Sequence, residues 1–143
     1  MFKWSAFKSG PPRSGVGESR QARGAEAEQQ ALRHLQAQGM RLLERNYRVA
    51  RGPHAPGGEI DLILQAADGC VVFVEVRARR SSVHGGAAAS IGLRKQRRIL
   101  LAAQHYLLRF RQPPPCRFDV IAIDGDELHW LPGAFDAQAA GAG

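Results

Sequence analysis

Two acids and a base stand where buried strands would normally carry only Val, Ile and Leu. The segment GGEIDLILQAADGCVVFVEVRAR, residues 57–79, reads as a β-hairpin, yet Asp61 interrupts its first apolar run and Glu75 and Arg77 interrupt its second. Alternate residues of a strand share a face. Ile60, Leu62 and Leu64 then point one way, and Asp61 points the other with Glu59 and Ile63. On the second strand Phe73, Glu75 and Arg77 oppose Val72, Val74 and Val76. Register decides whether the acids meet, because a one-residue slip flips every side chain. The connecting ADG favours a three-residue loop closed by Gly69 with positive φ, which pairs Ala66 with Cys70 and sets Asp61 opposite Glu75. A two-residue Asp68–Gly69 loop would separate them. The longer loop is preferred because it also keeps the three valines beside Ile60, Leu62 and Leu64 on one apolar face. Facing like charges are destabilising across a ladder, and a divalent cation with a taste for oxygen ligands, Mg²⁺ or Mn²⁺, would neutralise them.

The hairpin needs neighbours to complete a site. A helical pattern over 21–38 carries Ala31, Leu32 and Leu35 on one stripe and stops at Gly39. Glu28 lies three and four positions before Ala31 and Leu32, so it continues the buried stripe. A second helix over 91–110 has Ile99, Ala103, Tyr106 or Leu107, and Phe110 as its stripe. There Lys95 and Gln96 hold the same relation to Ile99 and Leu100. Each helix therefore brings polar groups inward near its N-terminal end. Taken singly, Glu28 is equally an early-turn acid suited to the helix dipole, and Lys95 a snorkelling side chain.

The remaining strands are MRLLERNYRV, CRFDVIAID and a short ELHWLP after an Asp124–Gly125 turn. The order is α-β-β-β-α-β-β, an α/β chain with a mixed central sheet flanked by helices. The β-α-β passage around the second helix should join parallel strands. Residues 1–20 read as a basic arm rich in Gly, Pro and Ser, 21–132 as one domain, and 133–143 as a frayed tail.

Charge narrows the partners. The net charge is +7, and ten of the twenty Lys and Arg residues fall between Arg77 and Arg117, a stretch without an acid. Such a patch is the footprint expected for phosphate backbones, although a solubilising face is the plainer alternative. Arg79, Arg80, Arg94, Arg97 and Arg98 are the candidate phosphate contacts. Cys70 and Cys116 lack zinc-ligand spacing, no apolar run suits a membrane span, and the start makes a poor secretory signal. A cytoplasmic protein is expected.

An acid on a first helix, Asp on one strand and Glu-x-Lys on the next resembles the restriction-endonuclease-like nucleases. More closely, QALRHLQAQGMRLLERNYR, GGEIDLI, VVFVEVRARRSS, GGAAASI, RKQRRILLAAQHYL and CRFDVIAI resemble the YraN family, bacterial proteins regarded as candidate endonucleases. The likeness runs over roughly Glu28 to Ile123. It implies a restriction-endonuclease-like fold similar to Holliday-junction resolvases, and metal-dependent cleavage of nucleic acid, DNA ahead of RNA and branched structures in particular. It implies metal ligation by Asp61, Glu75 and Glu28, with Arg77 as the third motif residue, and a homodimer as in other junction enzymes. Two departures stand out: Ala27 where a Gly often precedes the helix acid, and Arg77 in place of Lys. A guanidinium does not surrender its proton in proteins, so Arg77 is excluded as a general base. It can stabilise transition-state charge, and Lys95 can supply the missing ammonium, with Gln96 orienting. Two alternatives stay open: a nucleic-acid-binding module that keeps the fold without cleavage, and a scaffold in which Arg77 or Lys95 merely neutralises the acids. Asp119 and His84 have no assigned role.

Overall fold

The computed structural model describes residues 20–79 and 91–137. The expected basic arm, Arg80 and the loop with His84 fall outside those residues, apart from the arm's last residue, Arg20, which opens the first helix. The elements are α1 (Arg20–Ala37), β1 (Arg41–Val49), β2 (Gly58–Gln65), β3 (Val71–Arg79), α2 (Leu93–Leu107), β4 (Cys116–Asp124) and β5 (Glu127–Phe135). This is the order read from the sequence. Among the described residues the strands form one five-stranded sheet in the order β1-β2-β3-β4-β5. Only the β3–β4 pair is parallel, as expected for strands separated by a helix.

Alternation along β3 divides the core between the two sheet faces. Val72 and Val74 pack with Leu62, Leu64, Ile121 and the α1 stripe of Ala27, Ala31, Leu32 and Leu35. Val71 and Phe73 pack with Ile63, Phe118 and the α2 stripe of Ile99, Ala102, Ala103 and Tyr106. α1 ends as its glycine requires: Gly39 takes φ +91°, its N–H donates to the Gln36 carbonyl and that of Met40 to Leu35. This paired bonding satisfies two carbonyls at the helix end. No helix among the described residues is long and apolar enough to cross a membrane.

The β2–β3 turn has three residues. Ala66 N–H donates to Cys70 O at 2.9 Å and Gly69 adopts φ +93°. Leu62 faces Val74 and Leu64 faces Val72. One expectation fails here. Ile60 joins the α2 cluster, whereas Leu62 and Leu64 join the α1 cluster. The change is matched on β1, where Asn46 has φ +49°, a conformation Asn tolerates better than most residues. Arg45 pairs with Leu62 and reaches Gln29 of α1, while Tyr47 pairs with Ile60 and packs under α2. Both strands thus exchange faces across Asn46 and Asp61.

β5 runs to Phe135, past the expected tail boundary at 132. The buried carboxylate of Asp119 holds it there, accepting from Trp130 Nε1 at 2.9 Å and from the Gly133 N–H at 3.0 Å while Arg117 pairs with it. Phe135 stacks on Phe118 with ring centroids 5.0 Å apart.

Candidate active site

The register that pairs Leu62 with Val74 carries Asp61 to Glu75 one step further along the ladder. There the regular bonding gives way. The Val76 N–H donates to Asp61 Oδ2 at 2.8 Å, so a side chain takes the place of a strand carbonyl. Asp61 and Glu75 act directly on one another, the Asp61 charge opposing ionisation of Glu75. Glu75 is buried and Asp61 half-buried, and Glu75 Oε1 has no hydrogen-bond partner.

α2 closes over the pair with an ammonium. Lys95 Nζ lies 3.5 Å from Glu75 Oε2 and 3.7 Å from Glu59 Oε2. Arg98 then ties Glu59 to the helix, with a 3.1 Å ion pair to Oε1 and a 3.1 Å bond from Nε to the Gly57 carbonyl. Gly58 lets α2 come so near, and Gly57 lets the chain lie equally close to the end of β1. A Cβ at Gly58 would stand 2.6 Å from the Arg98 carbonyl oxygen and 2.8 Å from the Ala102 nitrogen, and one at Gly57 would overlap the Val49 carbonyl. The requirement is marked in the sequence only by the GG preceding EID.

Burial, above all, pushes Glu75 up to about 8, and the Asp61 charge adds to the shift; Lys95 opposes it. Burial also raises Asp61, against the pull of the Val76 N–H. Near neutral pH the pair therefore retains a proton, an uncommon condition for carboxyls and one found often at functional sites.

Glu28 approaches from α1. Its pKa is raised by burial and then by Asp61, while Asn46 Nδ2 donates to its Oε1 at 3.3 Å. Asp61 sits at the face exchange, which is why it interacts with groups from both helical layers. Asn46 was missed from the sequence, since a lone Asn within a strand leaves no periodic trace. Gln96 turns back on its own helix start, donating from Nε2 to the Ile91 carbonyl at 2.7 Å, and its Oε1 is buried without a partner. Arg77 is half-buried two residues beyond Glu75. Arg94 and Arg97 are exposed and Arg98 half-buried on α2; for Arg79 only the backbone is described. Among the described residues no three His, Cys, Asp or Glu side chains gather into a metal-holding group. The structure thus brings together Asp61, Glu75 and Lys95, with Glu28 at their margin.

The chain belongs to the uncharacterised protein family UPF0102, whose model matches residues 27–123. It is 60% identical to a UPF0102 protein of Albidiferax ferrireducens over 122 residues, 85% of this chain and 92% of that one. A UPF0102 protein of an Acidovorax species is 61% identical over 81% of this chain and 86% of its own length. One from Methylibium petroleiphilum is 59% identical over 78% and 91% respectively. The matched segment contains the whole charged constellation, from Glu28 through Lys95.

Proposed function

We propose that this chain is a metal-dependent nuclease of restriction-endonuclease-like fold that hydrolyses phosphodiester bonds, DNA being the favoured substrate. The reading rests on one observation: the buried carboxyl of Glu75 and the half-buried one of Asp61 face each other across β2 and β3 beneath an ammonium, with Glu75 Oε1 left without a partner. Hard oxygen donors in that arrangement suit Mg²⁺ or Mn²⁺. Asp61, Glu75 and the Val76 carbonyl would hold the ion, and Glu28 a second ion or a water. A divalent cation bound there supplies Lewis acidity to the scissile phosphate and acidifies water. Lys95 stands in for the lysine absent at 77 and stabilises charge developing on the phosphoryl oxygens, as does Arg77. Glu59 and Arg98 hold Lys95 in place, so they act on the reaction through it. Hydrolysis adds the water's oxygen to phosphorus and releases one sugar oxygen with a proton.

Incubation of the purified protein with branched, nicked and single-stranded DNA and with RNA in Mn²⁺ tests the reading. Cleavage that disappears in both Asp61→Ala and Glu75→Ala is the expected result. No cleavage of any substrate, or cleavage that survives both changes, rejects it.

A binding module without catalysis is the second reading, favoured by the Lys95 ion pair that already offsets Glu75. Calorimetric titration with Mn²⁺ separates the two, because only the nuclease needs the cation.

A further inference from the structure

The loop after β1 and the opening turns of α2 enclose a cleft of about 260 Å³, walled by Arg51, Arg94, Arg97 and Arg98 together with Gly57 and Leu101. No acid lines it. Arg98 is committed to Glu59 and the Gly57 carbonyl, but among the described residues no carboxylate pairs with Arg51, Arg94 or Arg97. Guanidinium groups converging on one concavity repel each other, and an anion seated between them converts that repulsion into attraction. Their planar forks match phosphate oxygens two at a time, which a lysine cannot do. The Arg98–Glu59–Lys95–Glu75 chain of ion pairs links the wall of the cleft to the carboxylate pair.

We propose that this cleft is a phosphate-binding subsite that seats a phosphate of the nucleic acid next to the cleavage centre, with Arg51 and Arg97 as its principal ligands. The nucleic-acid source rests on the proposed function; phosphate recognition itself rests on the cleft alone. Two phosphates share this chemistry, a terminal one, which carries close to two charges at neutral pH, and an internal diester with one.

Inorganic phosphate titrated calorimetrically into the full chain at constant ionic strength is the first arm of the test. We expect Arg51→Gln with Arg97→Gln to weaken phosphate at least tenfold with an unchanged circular dichroism spectrum. The Arg→Lys pair should recover only part of the loss, and Asp61→Asn should bind phosphate as the parent does. Oligonucleotides ending in 5′-phosphate, 3′-phosphate or hydroxyl form the second arm. A terminal phosphate in the cleft gives tighter binding of one phosphorylated end, abolished by the double glutamine change. An internal diester gives equal binding of all three, weakened equally. The subsite is rejected if the double variant binds phosphate and oligonucleotides like the parent, or if chloride competes as well as phosphate. Phosphate binding that persists in a protein that cuts nothing rejects the nuclease reading and leaves the subsite standing.

Discussion

At the scale of single residues, one proton governs the carboxylate pair. Glu75 is pushed up to about 8 by burial and by Asp61, so a cation must displace the proton to bind there. Mn²⁺ affinity should therefore climb about tenfold per pH unit below pH 8 and level off above it, as calorimetry across that range will show. Stability runs the other way. The folded state binds the Glu75 proton more tightly than the unfolded chain does. The resulting stabilisation is complete below the usual carboxylate range and is lost as pH rises through about 8. The melting temperature of the metal-free protein should fall over this interval. Glu75→Gln should flatten the fall and raise stability at pH 8 by up to about 4 kcal/mol, since the rise from 4.5 to about 8 spans roughly three and a half tenfold differences in proton affinity, each worth about 1.4 kcal/mol. The opposition of these acids was legible in the sequence because loop length fixes register, and Gly69 announced the loop. Asn46 and Asp119 were not, for opposite reasons. The first acts through an unusual backbone angle that no pattern records, and the second through partners on a strand whose extent the sequence understated.

At the scale of elements, close approach and anchoring do the positioning. Gly58 admits α2 to β2, and Gly58→Ala should push the helix away, destabilise by about 1–3 kcal/mol and lift Lys95 from Glu75. Denaturant unfolding measures the first effect; a Lys95 Nζ chemical shift that no longer responds to Glu75 titration reports the second. Asp119 fastens β5 to β4 through two donors and an arginine. Asp119→Ala leaves those donors unpaired and should cost about 2–4 kcal/mol, with the Gly133 amide losing its protection from hydrogen exchange. Helix stripes, the parallel pair and the hairpin could be read from periodicity. The face exchange of β1 and β2 could not, since alternation assumes a strand without interruption. Gln96 likewise was placed on the right side of α2, yet its amide closes the helix start instead of reaching toward the pair.

At the scale of the whole molecule, a +7 chain concentrates half its cations in an acid-free run, part of which α2 displays beside the carboxylates. Binding of single-stranded oligonucleotide should weaken steeply with salt, and the slope of log K against log salt should shrink by about 0.7 for each phosphate-contacting arginine replaced. Fluorescence anisotropy between low and moderate salt measures it. The sheet also has two margins, and β1 forms one of them. An open margin of unpaired amides and carbonyls invites foreign strands. β1 is shifted in register between Leu42 and Glu44 and bent again at Asn46, so it offers a visiting strand no long flat rail. The bend that turns Asp61 toward both helical layers thus doubles as a guard against polymerisation, and a β1 straightened by Asn46→Val would trade the Asp61–Glu75–Lys95 constellation for a sticky border.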